Sequence, residues 1–253
     1  MKTKIIFFLL LTYAGTGVSN AQVFDISAGL KSVKTVKGIV SFIYQDESPV
    51  PDIIETYLDL KGHKQAINLA VDYEHTRGKK QFYWLGRLQG YLGEVVGADI
   101  GLGGAYPLAL NKNNTLSLHP ELMVIFGFNK LDMGFLDVRA AGSVYIQVNS
   151  TRYNDYESVA IELRNTYLTI RPGVKIVNKI TDKISIRGFA GYHLGKGSSE
   201  VIFTGNDRNG EQAEEVEKLG QRNLYFDVNG QTKTETPFRA RGFELRIGVG
   251  ISI

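Results

Sequence analysis

Four side chains of this 253-residue sequence have the types and spacing for acid–base chemistry: His119 and Glu121, two residues apart in LSLHPEL, with Glu74 in AVDYEH and His193 in GYHLG. A histidine with an acidic partner draws a proton from water or from a serine, the first step in hydrolysing an ester or amide. The same residue types also serve as structural donors and acceptors in a packed interior. No nucleophile, base and orienting group stand together in the sequence. The four histidines, His63, His75, His119 and His193, lack metal-ligand spacing such as two within one helical turn, and no cysteine is present. GLGGAY (101–106) begins like a dinucleotide fingerprint without its third glycine, and GKGS (195–198) lacks the spacing of a phosphate-binding loop. No cofactor and no metal are expected.

The elements that must position these groups are strands. FELRIGVGISI (243–253) alternates without a break: Phe243, Leu245, Ile247, Val249, Ile251 and Ile253 fall on one face, with Glu244, Arg246, Gly248, Gly250 and Ser252 on the other. The same rhythm returns in 183–195, 167–177, 133–149, 115–128, 96–106 and 81–93, and upstream in 66–75. Segments 36–45 and 52–61 complete a set of about ten, with eight or twelve as alternatives; eight follows if the first two form a lead-in or a helix. The turns NKITDK (178–183), FNKLDM (128–133) and GEVVGA (93–98) are expected at the end that holds the C-terminus. Segment 195–237 is expected as a long polar loop at the other end, with a short helix at 211–219.

On this register the polar faces carry opposite charges in nearly equal number. Asp72, Arg87, Asp99, Asp137, Arg139, Arg171, Arg187, Glu244 and Arg246 form the expected inner network, joined by Glu55, Asp59, Glu74, Glu121, Lys37 and Lys175. Buried charges must find partners. Such a set therefore fills and blocks a narrow barrel, and a wide diffusion pore is disfavoured.

The start of the chain bears on destination. Residues 1–21 carry Lys2 and Lys4, an apolar run from Ile5 to Leu11, and small residues before Gln22. This is the layout of a cleaved export signal, and the run is far shorter than the roughly 20 residues of a spanning helix. Residues 22–253 are read as one domain. Loss of Lys2 and Lys4 takes the net charge from +3 to +1, which gives no ground for a nucleic-acid partner. With 28 glycines, 13 Tyr, 13 Phe and 6 prolines, the composition favours β-structure.

The signal, the strand rhythm and the FELRIGVGISI terminus together resemble the small outer-membrane β-barrels of Gram-negative bacteria, in particular the porin-like barrels of the Bacteroidota. The resemblance implies a closed antiparallel up-and-down transmembrane β-barrel in the outer membrane. It also implies lipid as surroundings and the barrel-assembly machinery as a partner during biogenesis. Ile253 departs from the aromatic terminal residue usual in that family. Trp84, Tyr106, Phe128, Tyr192 and Phe243 lie near expected strand ends, where interfacial girdles belong. The expected role is structural, binding or narrow transport, with segment 195–237 as the candidate for an extracellular ligand. The alternative is a barrel enzyme acting on lipid or peptide at the outer face, with His119, Glu121, Glu74 and His193 at the outer end of the wall.

Overall fold

The computed structural model describes residues 22–45, 53–76, 82–137, 146–148, 151–153, 158–207, 209–218, 224–228, 231–233 and 241–253. Its strands are β1 Gln22–Gln45, β2 Ile53–Thr76, β3 Tyr83–Gly93, β4 Val96–Ala105, β5 Leu108–Ala109, β6 Leu116–Asp137, β7 Ile146–Val148, β8 Thr151–Tyr153, β9 Ser158–Lys179, β10 Ile184–Asn206, β11 Gln212–Lys218, β12 Leu224–Val228, β13 Gln231–Lys233 and β14 Gly242–Ser252. Eight of them close a ring in the order β1-β2-β3-β4-β6-β9-β10-β14, with β14 returning to pair with β1. Every neighbour in the ring is antiparallel. The unbroken alternation of 243–253 thus has its reason: Val23 pairs Ser252 and Lys31 pairs Glu244, so the last strand must stay regular to close the wall.

The barrel class matches the sequence reading, and the strand count is eight, though for a different reason than a lead-in or a helix. Residues 36–45 are the second half of β1 and residues 53–61 the first part of β2. The chain does not turn at Lys34–Lys37 but passes through a register shift there, and Gly62, at φ 90, lies beside it in the partner strand. Segments 52–61 and 66–75, expected as two strands, are thus one strand, and residues 22–34, where no strand was expected, are the first half of β1.

The turn expected at 128–133 is likewise strand. β6 runs through it to Asp137 past a second register shift between Asp132 and Gly134, where the Gly134 N–H donates to Asp132 Oδ1 at 2.8 Å and φ is 92. The cause is a reversal of polarity along the wall. On β9 the inner side reads Lys175, Arg171, Thr169, Tyr167 and Asn165, then turns apolar at Leu163, Ile161 and Val159. The outer side reads Ile176, Val174, Ile170 and Leu168, then turns polar at Thr166, Arg164 and Glu162. On β6, Leu131 and Met133 lie inside while Lys130 and Asp132 lie outside, so a polar stretch that looks like a turn is strand beyond an apolar belt.

The two ends differ. Gln22 and Ile253, the first and last described residues, lie at one end with the turn at 180–183, where the Ile180 N–H donates to the Ile184 carbonyl. At the far end β1, β2, β6, β9 and β10, each of 22 to 24 residues, run well past the turn at 94–95 that joins the 11-residue β3 to the 10-residue β4. GEVVGA therefore lies opposite the C-terminus, not beside it. The helix expected at 211–219 is strand β11, paired to β10 from Glu200–Lys218 to Asn206–Gln212, so the first part of segment 195–237 continues the wall. Val201 and Phe203 on this extension are buried, and Tyr153 of the β7–β8 hairpin donates to the Phe203 carbonyl at 3.1 Å. Residues 1–21, where the export signal is expected, lie outside the described residues.

Candidate functional site

Strand alternation puts a ring of apolar side chains outside and ions inside. Asp25, Lys31, Asp72, Glu74, Arg87, Asp99, Glu121, Arg171, Lys175, Arg187, Glu244 and Arg246 all point into the barrel and are buried. Six are anionic and six cationic. Asp72 and Arg87, directly opposed on β2 and β3, form a two-pronged pair at 2.5 and 2.6 Å. Arg171 Nη1 reaches Glu244 at 3.0 Å, its Nη2 holds Glu121, and Arg246 Nε lies 2.8 Å from Glu244. Lys175 Nζ donates to Glu74 at 2.7 Å with Asp25 and Asp72 within 3.7 Å, and Arg187 Nη1 donates to Glu74 at 2.5 Å.

One apolar ring sits at the middle of these charges. The guanidinium carbons of Arg171, Arg246 and Arg87 stand 4.2, 4.6 and 5.3 Å from the Phe189 ring centre. Gly173 and Gly191 leave room for it, since a Cβ on either would come within 2.5 Å of the ring. Toward the far end, Lys31 pairs with Asp99 and lies 4.1 Å from the Tyr91 ring centre, while the Tyr91 and Tyr167 hydroxyls are 2.7 Å apart and Tyr167 donates to Asp99. The β3–β4–β6 side supplies apolar filling from Tyr83, Leu85, Ala105, Met123 and Ile125.

Of the expected inner network, Asp72, Arg87, Asp99, Arg171, Arg187, Glu244 and Arg246 are all on this inner face, and all but Asp99 join the central cluster. The side chains of Asp137, Lys37, Glu55 and Asp59 lie outside the described residues, as does Arg139. Asp25 and Lys31 were missed because 22–34 did not register as a strand. The signal was present as Phe24, Ile26, Ala28 and Leu30 alternating with Asp25, Ser27, Gly29 and Lys31. Phe189 was visible on the polar face without a role.

The four acid–base candidates do not form one constellation. His119 lies toward the end that holds Gln22 and Ile253 rather than toward the opposite end, with its Nε2 2.7 Å from Ser117 Oγ and its Nδ1 2.6 Å from Tyr83 Oη. Glu121 is taken by Arg171, and Glu74, also toward the termini, by Lys175 and Arg187. His193 sits farther along the barrel, opposite Gly242, with Nε2 2.8 Å from Glu244 and Nδ1 3.4 Å from Thr169 Oγ1. Thr169, His193 and Glu244 make a hydroxyl–imidazole–carboxylate row, but Thr169 is 1% exposed and Glu244 0%. Among the described residues no group of three or more His, Asp or Glu is arranged to hold a metal ion. Gly101, Gly103 and Gly104 of the partial dinucleotide fingerprint lie in β4, where Gly103 would set a Cβ 2.2 Å from the Leu122 carbonyl. They are close-approach positions in the wall.

No protein-family model matches the chain, and no curated protein matches it. Among solved structures it is similar to the outer membrane protease OmpT of Escherichia coli, with TM-score 0.33, 11% identity, and coverage of 94% of this chain and 99% of that one. It is also similar to the translocator domain of the autotransporter NalP of Neisseria meningitidis, with TM-score 0.26, 10% identity, and coverage of 99% and 94%. A Pseudomonas aeruginosa FadL homologue gives TM-score 0.29, 12% identity, and coverage of 91% and 68%.

Proposed function

We propose that this protein is an integral outer-membrane β-barrel with a structural or binding role in the envelope, its lumen closed by an ionic lock. The observation that carries this reading is the pairing of an ion-filled interior with an oily exterior. Ile26, Leu69, Leu88, Leu102, Val124, Ile170, Ile186 and Ile247 supply one exposed apolar side chain from each strand of the ring, and each has further apolar neighbours above and below. An apolar band that encircles a protein is a solvent mismatch in water and a match in hydrocarbon. On β14 the band runs from Phe243 to Ile251, about 27 Å along the strand at the usual rise per residue. At the 35–45° tilt of membrane barrels that is roughly 20 Å of depth, close to the apolar band of about 25 Å in such barrels. Phe82, Trp84 and Tyr106 border it at the end with the termini, and Phe128, Tyr192 and Phe243 at the far end. The extended far end fits the outside of the cell, because barrels of this kind keep short connections on the periplasmic side.

The lock argues against free diffusion. Eight strands enclose a lumen that side chains fill, and here oppositely charged side chains meet across it. The test combines extraction with conductance. The mature chain should leave washed membranes only with detergent, should refold to a heat-modifiable species in detergent or lipid, and should give no stable channel steps in planar bilayers. A monomer that stays dissolved without detergent overturns the membrane reading, and steady open-channel steps overturn the lock.

The enzyme reading has one observation in its favour, the Thr169–His193–Glu244 row. Thr169 and His193 line a lumen pocket of about 20 Å³, room for about one water and too little for a lipid or peptide carbonyl.

A further inference from the structure

At the far edge of the apolar belt, one sector of the outer wall differs from the rest. Lys34 follows Leu30 and Ser32 on the outward side of β1, and Lys196 follows Tyr192 and Leu194 on the outward side of β10. Between them Arg241 leads into β14, its carbonyl accepting from the Lys34 N–H at 2.8 Å. All three residues are exposed, and among the described residues no carboxylate pairs with any of them. Three cations elsewhere toward this end are paired, Lys64 with Glu94 at 3.2 Å, Lys130 with Glu162 at 2.9 Å and Arg164 with Glu214 at 3.8 Å.

Nearer the belt centre, the same sector carries an aromatic pair and then a groove. Tyr192 and Phe243 meet edge to face with ring centres 4.9 Å apart. Beyond them Ala28, Gly188 and Ala190 form the floor of a groove of about 490 Å³, bounded by Leu30, Val174 and Ile247. The hollow follows from the sequence, since small residues occupy outward positions that hold Leu, Ile or Val on neighbouring strands. Leu30 is four residues from Lys34, about 13 Å along the strand, a distance an acyl chain bridges.

We propose that this sector binds one phosphorylated lipid of the surrounding membrane, with its phosphate on Lys34, Lys196 and Arg241 and an acyl chain laid past Tyr192 and Phe243 into the groove. Three unpaired cations call for an anionic headgroup, and ammonium and guanidinium groups bind phosphate oxygens through charge-assisted hydrogen bonds. The apolar hollow calls for a tail attached to that headgroup. A second copy of the chain is the poorer occupant: an isologous contact through this sector would bring the basic rim against its own copy.

The inference rests on the membrane reading, and its test separates the two. Folded protein in dodecyl maltoside micelles is titrated with lipid A carrying both phosphates, with the dephosphorylated lipid, and with inorganic phosphate. The heat-modifiable unfolding midpoint is the readout. Only the phosphorylated lipid should raise the midpoint. The variant K34Q/K196Q/R241Q should bind it roughly a hundredfold more weakly while still folding, as expected for the loss of three cations near a lipid surface. Gly188→Leu, where an added Cβ meets nothing within 4 Å, should fold and weaken binding by filling the groove. Equal stabilisation by the dephosphorylated lipid or by inorganic phosphate overturns the proposal, as does wild-type affinity in either variant. A dimer in micelles that Gly188→Leu dissociates assigns the groove to a contact between copies and overturns it too. Failure of the wild type to fold in detergent would instead sink the membrane reading itself.

Discussion

Lys175 Nζ and Glu74 Oε1 meet at 2.7 Å, 101 residues apart in the chain and on strands β9 and β2, which stand four places apart in a ring of eight. The bond therefore crosses the full width of the lumen. Nothing bulkier than a side-chain pair separates the two walls at that level, so the interior is a cross-braced solid. Because Lys175 also lies within 3.8 Å of Asp25, Asp72 and Glu121, it neutralises an anionic cluster that no single surrounding arginine covers.

Lys175→Met is expected to destabilise the folded barrel by about 3–5 kcal/mol, the usual cost of breaking a buried pair and leaving its partner uncompensated. Urea unfolding in lipid vesicles measures this as a lower midpoint. The double change Lys175→Met with Glu74→Gln should recover part of the loss, because it removes the stranded charge as well. A single variant as stable as the wild type would show that the lumen is hydrated enough to screen the cluster.

Phe189 is the second brace. Phe189→Ala removes the ring on which Arg87, Arg171 and Arg246 rest and leaves Gly173 and Gly191 facing an unfilled volume. Channel steps in planar bilayers should appear in this variant and be absent from the wild type, with ion selectivity biased toward anions by the three released guanidinium faces. Identical silence in both proteins would mean that the remaining ion pairs close the lumen unaided.

Much of this was legible in the sequence because alternation survives in each strand of the belt. FELRIGVGISI states which residues face which way, and so do 115–128 and 183–195. Two features were illegible for physical reasons. Periodicity marks faces but not their polarity relative to a boundary, so Lys130 and Asp132, outward residues beyond the belt, read as a turn. A register shift also costs only one residue, and Gly62, which lies opposite the shift at Lys34–Lys37, therefore falls in the gap between segments 52–61 and 66–75 although both belong to one strand. The network was half legible for the same reason: Asp72, Arg87 and Glu244 lie in regular strand sequence, while Asp25 and Lys31 lie in the stretch where the strand went unread. Which charges meet across the lumen depends on ring closure, and no local pattern carries that.

The histidines separate a structural interior from a catalytic one. His193→Gln retains a side chain able to donate to Glu244, and His119→Gln one able to bond Ser117 or Tyr83, so both variants should fold as the wild type does. His193→Ala strips one hydrogen-bond partner from Glu244 and should lower stability by about 1–3 kcal/mol, the penalty for an unmade buried hydrogen bond. Assays of lipid deacylation and peptide cleavage on whole cells should not distinguish wild type from either glutamine variant. Loss of such an activity in a glutamine variant with intact heat-modifiable folding would favour the enzyme reading.

The depth of the belt can be mapped along a single strand. Ile247 lies at the middle of the outward row of β14 and Phe243 at its far-end edge, where the polarity of the wall begins to reverse. In hydrocarbon a lysine on the lipid face costs about 2–4 kcal/mol at the midplane and about 0–1 kcal/mol near an interface. Ile247→Lys should therefore lower the stability of the barrel in lipid vesicles by about 2–4 kcal/mol, and Phe243→Lys by clearly less, after correction for the aromatic pairing it loses with Tyr192. Leu245→Lys should fall between them, because its lysine can snorkel toward the rim. The gradient is specific to a membrane, since water imposes no depth on an exposed face. Equal and small effects at 243, 245 and 247 would mean that this face meets water, and the oily exterior would then need a protein partner.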